Sequence, residues 1–561
     1  MSSQKPLLQV EGLTVRLPSG ADRAHAVEDI SFELKRGEIL CIVGESGSGK
    51  SITANTIMGL LPRPYVEPVA GRILFDGGDL LRETEPALRA LRGSRIAMIF
   101  QEPMTALNPV LRIGDQIAEV FDAHGQLSKK GRRDKVRDLL ASVGLPEPDT
   151  LGESYPFRLS GGQRQRVMIP MALALEPAIL IADEPTTALD VTTQAQILAL
   201  IKRLQAERDM GVMFITHDFG VVAEIADRVA VMQLGKIVEA GPAEQVLNAP
   251  QHDYTRRLVG SVPAFEPPPA RPRVEGDPIL KVEGLQKTYI TARGLFTKGR
   301  EVAAARDVAF EIRRGETVGL VGESGSGKST VGRCIVRLLD ADGGAIRFRE
   351  EVDLNALRGR RLAPYRRHVQ MVFQDPYASL NPRRKVGRII AEGPLAHGAS
   401  EREAQARARE LLALVRLDPS AAERYPHEFS GGQRQRIGIA RALALDPELL
   451  VADEPVSALD VSVQAQVLDL LEEIKQRLKL AMLFITHDLR VAAQICDRVA
   501  VMQRGRIVEY GDTRRLFAEP QHDYTRSLLA AVPGKEWQIP DVARLEQIAS
   551  DRADEVDRSD A

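Results

Sequence analysis

The same glycine-rich stretch occurs twice in this chain: VGESGSGKS spans Val43–Ser51 and recurs at Val321–Ser329. Each copy follows an apolar run typical of a buried strand and fits the pattern GxxxxGK[ST]. In that pattern glycines let backbone N–H groups turn inward around an anion, the lysine reaches the β- and γ-phosphates, and the final hydroxyl ligates Mg²⁺. The two copies therefore predict two nucleoside-triphosphate sites.

All eight positions of each loop are candidate nucleotide-binding residues. In the first loop these are Gly44, Glu45, Ser46, Gly47, Ser48, Gly49, Lys50 and Ser51. In the second loop they are Gly322, Glu323, Ser324, Gly325, Ser326, Gly327, Lys328 and Ser329. The lysines are the expected phosphate contacts, and the final serines are the expected Mg²⁺ ligands.

Two further apolar runs end in paired carboxylates, ILIADE at Ile179–Glu184 and LLVADE at Leu449–Glu454. Asp183 and Asp453 stand at a strand end, where a carboxylate can hold Mg²⁺. The glutamate that follows each aspartate can polarise the attacking water as a general base. Such acids can also simply cap the next helix, but their place downstream of a phosphate-binding loop favours the hydrolytic role.

A histidine and a glutamine also follow apolar runs in each half. His217 and His487 come after a strand-like run as THD, and their repetition behind the two glutamates favours a γ-phosphate contact over a structural role. Gln101 and Gln374 end the runs AMIFQ and QMVFQ. A glutamine there could bind Mg²⁺ or the lytic water, or could be a surface loop residue. These four residues complete the candidate catalytic set.

A second kind of anion site is present as LSGGQ at Leu159–Gln163 and FSGGQ at Phe429–Gln433. A serine hydroxyl, glycine N–H groups and the start of a helix can bind an anion together. No further lysine or Mg²⁺ ligand accompanies either stretch, so each is half of a site. The candidate residues are Ser160, Gly161, Gly162, Gln163, Ser430, Gly431, Gly432 and Gln433.

The whole chain is a repeat. SGGQRQR, ADEP, FITHD, RVAVMQ and QHDYTR each occur twice, and 270 residues separate Ser160 from Ser430. We expect two α/β domains at 1–262 and 279–533, joined by a proline-rich linker at 263–278. An acidic tail at 534–561 follows, and its last residues are expected to be disordered.

Each half combines buried strands with a helical insertion. Short continuous apolar runs indicate a parallel sheet covered on both faces. In KVRDLLASVGL the apolar residues Val136, Leu139, Leu140 and Val143 share one helical face, and ARELLALVRL repeats the pattern. We therefore expect helical subdomains at about 102–159 and 375–429, inserted into an α/β core.

The composition excludes several other classes of protein. The formal net charge of the 561 residues is −2, which gives no electrostatic case for nucleic acid as a partner. Three isolated cysteines, Cys41, Cys334 and Cys496, argue against disulfides or a metal cluster and fit a reducing compartment. The first residues lack the pattern of a signal peptide, and no apolar run is long enough to span a membrane.

The order of these motifs resembles the ATP-binding-cassette (ABC) ATPases, twice over nearly the whole chain. The resemblance implies two tandem P-loop nucleotide-binding domains, each a RecA-like α/β core with a helical subdomain. It also implies head-to-tail packing, in which ATP on Lys50 is closed by Ser430 and ATP on Lys328 by Ser160. Family members stack an aromatic residue on adenine after the first strand; here Tyr289 aligns with Leu17.

A narrower resemblance rests on QEPMTALNP and QDPYASLNP after the glutamines and on PQHDYTRRL and PQHDYTRSL near the end of each half. These segments resemble the oligopeptide, dipeptide and nickel importer ATPases, and the fused form resembles the Yej-type peptide importer ATPases most. The resemblance implies two separate membrane permeases, one chain per transporter, an extracytoplasmic binding protein as an indirect partner, and a peripheral location on the cytoplasmic face of the inner membrane.

Three alternatives stay open at this point. The chain could be an importer motor for glutathione or nickel, because the ATPase never touches the substrate. It could be an exporter ATPase, which the LNP and QHDYTR segments disfavour only by analogy. It could also be a soluble tandem cassette that acts on ribosomes or nucleic acid, for which a basic surface or a long charged arm would be expected.

Overall fold

The computed structural model describes residues 5–101, 106–125, 129–145, 147–187, 189–265, 271, 274, 276–290, 301–457 and 459–540. The chain forms two compact units. Residues 1–189, 193–262 and 533–561 make the first, and residues 190–192 and 263–532 make the second. The expected disorder at the end of the acidic tail falls outside the described residues.

The described strands of the first unit form two sheets. The strands are β1 Leu8–Arg16, β2 His25–Leu34, β3 Ile39–Val43, β4 Glu67–Phe75, β5 Gly78–Asp79, β6 Ile96–Ile99, β7 Ile179–Asp183, β8 Gly211–Thr216, β9 Arg228–Gln233 and β10 Lys236–Pro242. A six-stranded sheet has the order β10-β9-β3-β8-β7-β6, and a four-stranded sheet has the order β2-β1-β4-β5.

The helices of the first unit fall between these strands or, for the last two, after β10. They are α1 Lys50–Ile57, α2 Glu85–Leu91, α3 Ile113–Ala123, α4 Lys129–Ser142, α5 Pro148–Gly152, α6 Gly161–Leu173, α7 Val191–Arg208, α8 Phe219–Ile225, α9 Ala243–Asn248 and α10 Asp253–Gly260. Short 3₁₀ turns lie at Leu80–Arg82 and Pro156–Arg158. Helices α3 to α5 form the helical insertion, and Val136, Leu139, Leu140 and Val143 are buried there as expected.

The second unit repeats the strand plan. Its strands are β11 Pro278–Ile290, β12 Glu301–Arg313, β13 Thr317–Val321, β14 Gly343–Phe348, β15 Val352–Asp353, β16 Val369–Val372, β17 Leu449–Asp453, β18 Ala481–Thr486, β19 Arg498–Gln503 and β20 Arg506–Asp512. The sheet orders are β16-β17-β18-β13-β19-β20 and β12-β11-β14-β15.

The helices of the second unit occur in an order similar to that of the first unit. They are α11 Lys328–Ile335, α12 Ala363–Arg366, α13 Pro376–Ser379, α14 Val386–Ala396, α15 Glu401–Leu414, α16 Gly431–Leu443, α17 Val461–Leu478, α18 Leu489–Ile495, α19 Thr513–Ala518 and α20 Asp523–Ala530. Three 3₁₀ turns lie at Gly359–Arg361, Pro419–Glu423 and Pro426–Glu428. In neither unit does a described helix reach the length and apolarity that a membrane crossing requires.

The larger sheet of each unit holds the apolar runs that the sequence identified as strands. In the first unit β6, β7, β8, β3 and β9 are parallel, while β10 is antiparallel at the edge. Residues of β3, β7 and β8 are buried throughout. This is the signature of a sheet covered on both faces. The parallel arrangement brings the carboxyl ends of these five strands to one edge, which is where ligands bind in open α/β sheets.

A core of aliphatic residues lies between the two sheets of each unit. In the first unit it joins Leu8 and Val10 of β1 with Ile42 of β3, and helix α1 inserts Ala54 and Ile57 into it. The phosphate-loop helix is thus fixed on its buried side by both sheets. The second unit repeats this core around β11, β13 and α11.

The described part of the proline-rich segment is held by the second unit. The ring of Phe265 lies 6.1 Å from that of Phe517. Arg271 donates to the carbonyls of Gln494 and, at 2.8 Å, Ile495 at the end of α18. A cation at a helix C-terminus satisfies carbonyls that have no partner within the helix. Phe265 and Arg271 are therefore packed on the second unit, within a segment whose proline-rich composition favours an extended chain.

Pro170 lies inside α6, where the equivalent helix α16 has Ala440. Both helices span 13 residues, so the proline does not shorten the helix. A helix-interior proline loses one hydrogen bond and costs about 3 kcal/mol. We expect Pro170→Ala to raise the melting temperature of the first unit and to leave ATP hydrolysis nearly unchanged.

Thermal unfolding of the full chain checks this expectation. The matched variant Ala440→Pro should destabilise the second unit, because it introduces the same defect into a regular helix. A lower melting temperature for Pro170→Ala would show that the buried proline ring contributes more through packing than it costs through the missing hydrogen bond.

Candidate functional site

Each phosphate-binding loop has a backbone that only glycine accommodates. Gly44, Gly47 and Gly49 have φ values of 149°, 79° and 108°. A Cβ atom at Gly44 would lie 2.2 Å from the carbonyl oxygen of Met232, so a side chain cannot fit there. Around the Cβ position of Gly47, by contrast, the described residues leave open space within 4 Å. The loop therefore packs on the protein at Gly44 and is open at Gly47, as an anion cradle requires.

The loop lysines are buried, and their ammonium groups bond to the backbone of the loop. Lys50 and Lys328 are 5% and 4% exposed. Lys50 Nζ donates to the carbonyl oxygens of Gly44 at 2.7 Å and Glu45 at 2.9 Å, and Lys328 makes the same two bonds at the same distances. Burial lowers the pKa of Lys328, against the attraction of Glu454 and Asp453. A desolvated ammonium in an open cradle fits an anionic ligand.

Two of the three residues that we expect to hold Mg²⁺ in each unit, the loop serine and the aspartate, contact each other at the sheet edge. Ser51 Oγ donates to Asp183 Oδ1 at 3.0 Å, and Ser329 Oγ donates to Asp453 Oδ1 at 2.8 Å. Burial raises the pKa of Asp183 to about 6, with the Ser51 bond opposing it, and raises the pKa of Asp453 as well. A buried carboxylate that resists ionisation gains from a nearby cation, and hydroxyl and carboxylate oxygens suit Mg²⁺. The residues fit the ion.

Glu184 is the centre of a second cluster at the same edge. Its Oε2 atom receives hydrogen bonds from Thr187 Oγ1 at 2.8 Å and Gln101 Nε2 at 3.2 Å, and lies 3.4 Å from His217 Nδ1. Burial would raise the pKa of Glu184, but the hydrogen bond and charge of His217, with Thr187, lower it to about 2. The carboxylate is therefore ionised, and its neighbours fix its position.

The second unit builds the same cluster around Glu454. Its Oε2 atom accepts from Gln374 Nε2 at 2.8 Å and lies 3.2 Å from His487 Nδ1. The pKa of Glu454 is lowered, because His487 outweighs burial, and the pKa of His487 is raised because that carboxylate outweighs its own burial. Ser457, at the position equivalent to Thr187, donates to the Glu454 backbone carbonyl at 3.2 Å and also helps to lower the pKa of the Glu454 carboxyl.

Both glutamates hold an uncommon backbone conformation. Glu184 and Glu454 have φ values of 46° and 45°, in the left-handed region that residues with a Cβ rarely adopt. The backbone N–H of Glu184 donates to the carbonyl of Ile215 at 3.0 Å, and Glu454 repeats this with Ile485 at 2.9 Å. Strain of this kind clusters at functional sites, where surrounding structure enforces it.

The SGGQ stretches begin helices α6 and α16, as expected. Ser160 caps α6: its hydroxyl accepts the Gln163 N–H at 3.2 Å, while Gln163 Oε1 accepts the Ser160 N–H at 3.0 Å. Ser430 and Gln433 form the same capping box. The serine hydroxyl thus has a local structural partner, and its proton is still available to an anion at the helix start.

The residues expected to contact adenine differ between the units. Tyr289 pairs with Val302 across the β11–β12 hairpin, and Leu17 N–H donates to the carbonyl of Ala24 at 2.9 Å in the equivalent hairpin. The register therefore supports the alignment of Tyr289 with Leu17. Tyr289 OH lies 3.3 Å from Thr330 Oγ1 beside the loop, whereas Leu17 packs against the first unit's core.

The structure also adds residues that sequence reasoning missed. Arg23 donates to the carbonyl of Gly47 in the first loop. The hydroxyls of Tyr254 and Tyr524, from the two QHDYTR stretches, lie 3.1 and 3.2 Å from the backbone nitrogens of Glu45 and Glu323. The repetition of QHDYTR was the available signal, but nothing local to it indicates a contact with a loop some 200 residues away.

Comparison with known families identifies both the core and the C-terminal region of each unit. The family model described as "ABC transporter" matches residues 27–187 and 305–457. A second model, "Oligopeptide/dipeptide transporter, C-terminal region", matches residues 238–286 and 508–557. The first model contains the loop, glutamine, SGGQ and carboxylate motifs, and the second contains the QHDYTR stretches.

Curated relatives match the chain over nearly its full length. The glutathione import ATP-binding protein GsiA of Escherichia coli O157:H7 is 49% identical over 561 residues, covering 94% of this chain and 90% of the relative. The GsiA protein of Salmonella choleraesuis is 48% identical, with the same coverage. The peptidoglycan transport ATP-binding protein YejF of Agrobacterium fabrum is 49% identical over 533 residues, covering 94% and 97%.

Among solved structures, the dimeric ATP-binding cassette MJ0796 bound to ADP and Pi is 30% identical and covers 42% of this chain and 98% of its own, with a TM-score of 0.37. The family assignment rests on the two family models and on the full-length relatives. Two complete cassettes, each with its own phosphate-binding loop and carboxylate cluster, make this chain a member of the ABC transporter ATPases, in the tandem-cassette form with the oligopeptide/dipeptide C-terminal region.

Proposed function

We propose that this chain is the ATP-hydrolysing motor of an importer for small peptides or peptide-containing compounds. The observation that carries the proposal is the presence of two full catalytic clusters, each followed by the C-terminal region of oligopeptide and dipeptide transporters. Relatives of nearly equal identity are named for glutathione and for peptidoglycan, which share peptide chemistry. Nickel import is the alternative within the same class; a ribosome-associated role is not favoured by these relatives.

In this proposal the residues of one unit divide the work of hydrolysis. The loop N–H groups and Lys50 would hold the phosphates, and Ser51, Asp183 and Gln101 would hold Mg²⁺, which would supply charge neutralisation at the β- and γ-phosphates. Glu184 orients the attacking water and takes up its proton, for which Thr187 and Gln101 must first release Oε2. Lys328, Ser329, Asp453, Gln374 and Glu454 act in the same way in the second unit.

We further propose that the SGGQ stretches take part in phosphate binding, because the Ser160 and Ser430 hydroxyls and the N–H groups at the starts of α6 and α16 can bind an anion. Neither stretch includes a further lysine or Mg²⁺ ligand, so each supplies only part of a nucleotide site. The boundaries 1–262, 263–278, 279–533 and 534–561 remain the proposed division of the chain.

The proposed setting is the cytoplasmic face of the inner membrane, with one chain beneath two permease subunits and an extracytoplasmic binding protein that delivers the substrate. The test is co-expression of the chain with two candidate permeases of the same transporter class, purification of the complex, and reconstitution in liposomes. We expect ATP-dependent uptake, stimulated by the binding protein loaded with glutathione or with a peptidoglycan fragment.

The double variant Lys50→Ala, Lys328→Ala is the control and should abolish uptake while leaving the complex assembled. If the liposomes take up Ni²⁺ but neither peptide compound, the proposed substrate class is wrong and the proposed motor function stands. Failure to co-purify with any permease, together with ATP hydrolysis that responds to ribosomes, would overturn the importer assignment.

A further inference from the structure

A tyrosine hydroxyl from the QHDYTR stretch contacts each phosphate-binding loop. Tyr254 OH accepts a hydrogen bond from the backbone nitrogen of Glu45 at 3.1 Å and lies 3.3 Å from Glu45 Oε2, to which it can donate. Tyr524 accepts the N–H of Glu323 at 3.2 Å. The two side chains are 4% and 9% exposed. Both repeats of the chain therefore make the same contact between this tyrosine and the phosphate-binding loop.

The peptide group that each tyrosine binds is the one that holds the loop lysine. The carbonyl of Gly44 and the N–H of Glu45 belong to a single planar peptide unit. Its oxygen accepts Lys50 Nζ at 2.7 Å, while its nitrogen donates to Tyr254. Because the unit is rigid, fixing its N–H end also fixes the direction of its carbonyl, and with it the position of the ammonium. Gly322, Glu323 and Lys328 repeat this geometry.

The QHDYTR stretch has the contacts needed to hold this hydroxyl in place. The carboxylate of Glu239 on β10 accepts the backbone N–H groups of Gln251 at 2.8 Å and His252 at 3.0 Å. His252 Nδ1 caps helix α10 by accepting the Tyr254 N–H at 3.1 Å. Arg256 donates to the carbonyl of Gln251 at 2.7 Å. The turn before the helix is therefore fixed from three directions.

The second unit repeats this turn with matching distances. Glu509 accepts the N–H groups of Gln521 at 2.8 Å and His522 at 3.0 Å, and His522 Nδ1 accepts the Tyr524 N–H at 3.1 Å. Burial raises the pKa of Tyr524, so its hydroxyl stays protonated and can donate to the Glu323 carboxylate while it accepts the N–H. The hydroxyl is thus held at its donor and its acceptor side.

We propose that Tyr254 and Tyr524 are positioning residues for ATP binding, which orient the first peptide group of each phosphate-binding loop so that the loop lysine enters the cradle aimed at the phosphates. Each acts on the nucleotide site through this peptide group. This assigns a role to the C-terminal region of each cassette within its own nucleotide site, and it rests on the proposed ATPase function. A loop without its tyrosine samples other orientations of that peptide group, so nucleotide must order it on binding.

The test is Tyr254→Phe and Tyr524→Phe in the full chain, with the double variant. The loss of one hydrogen bond corresponds to about a three- to tenfold loss of affinity. We expect each variant to raise the Kd for ATP at one site by this factor when binding is measured by calorimetry in the Glu184→Gln, Glu454→Gln background. In the catalytically intact chain the KM for ATP should rise by a similar factor, while kcat at saturating ATP stays within about twofold.

Tyr510→Phe is the matched control, because Tyr510 OH donates to the backbone carbonyl of Glu311 at 2.9 Å, away from the loop. It should lower the melting temperature about as much as the test variants and leave the ATP affinity unchanged. The inference is overturned if both test variants bind ATP as the parent does, or if kcat falls with KM unchanged. If one variant does not fold, the other unit supplies the same test. A parent chain that binds no ATP would overturn the proposed function, and this inference with it.

Discussion

Replacing Glu184 or Glu454 by glutamine is expected to reduce ATP turnover by roughly 10² or more, with ATP binding retained. Glutamine keeps the size of the side chain and its acceptor oxygen but removes the carboxylate that can take up a proton from water. The pKa of Glu184 lies near 2, so the group is fully ionised at neutral pH and the substitution removes a real charge. Steady-state hydrolysis by each single variant, at saturating ATP and Mg²⁺, measures the effect.

The matched controls are Glu176→Gln and Asp446→Asn. These residues also have positive φ values, 56° and 50°, but Glu176 is exposed on the surface of the first unit and Asp446 lies at the equivalent place in the second. Both controls should hydrolyse ATP at the parent rate. The variant with both glutamines should hold ATP in a closed state without turnover. Full activity in one single variant would show that its site is not catalytic.

The positions of these groups were predictable from the sequence because of the kind of sheet that carries them. Runs such as ILIADE and GVMFITH are apolar up to their last two residues, since both faces of the parallel sheet are covered, and they form β7 and β8. A strand that ends in Asp-Glu and a neighbour that ends in Thr-His must bring these polar residues to one edge when they are parallel. Asp183 indeed pairs with Ile215, next to Thr216.

The four-stranded sheet was not predictable in the same way. Alternating burial on β1 is interrupted where the register shifts between Val10 and Leu13, around the left-handed Gly12. Such a bulge breaks the period of two on which strand recognition depends. The sheet is nevertheless important for the site, because β1 and β2 cover the buried face of the phosphate-loop helix and carry Leu17 just beyond their paired residues.

The detailed contacts of the carboxylate cluster could not be predicted from the sequence either. Glutamate has no intrinsic preference for the left-handed backbone that Glu184 adopts, so its residue type gave no sign of it. The bond from Thr187 to Glu184 depends on the conformation of the turn between them, and the contact from Tyr254 to Glu45 depends on packing between elements that are far apart in the sequence. Composition and local periodicity contain no information on such contacts, and only the folded chain reveals which hydroxyl meets which loop.

We also expect a large difference between the two nucleotide sites, in the way that they hold adenine. Tyr289 lies at the end of β11 beside the second loop; its side chain is 41% exposed and its hydroxyl contacts Thr330. A base that stacks on this ring gains about 0.5–1.5 kcal/mol beyond the burial of area, which is up to about tenfold in affinity. Leu17, at the same point of the equivalent hairpin, offers only an aliphatic contact.

We therefore expect ATP to bind the chain that carries Glu184→Gln and Glu454→Gln with two affinities that differ by up to about tenfold. Leu17→Tyr should tighten the weaker site, because it restores a ring at the position that the register assigns. Tyr289→Leu should weaken the stronger site towards the other. Calorimetric titration resolves both affinities in one experiment, and Tyr65→Leu, which removes an exposed ring of the first unit, is the control and should change neither. Equal affinities in the parent, unmoved by either substitution, would show that other residues cover the base in both sites.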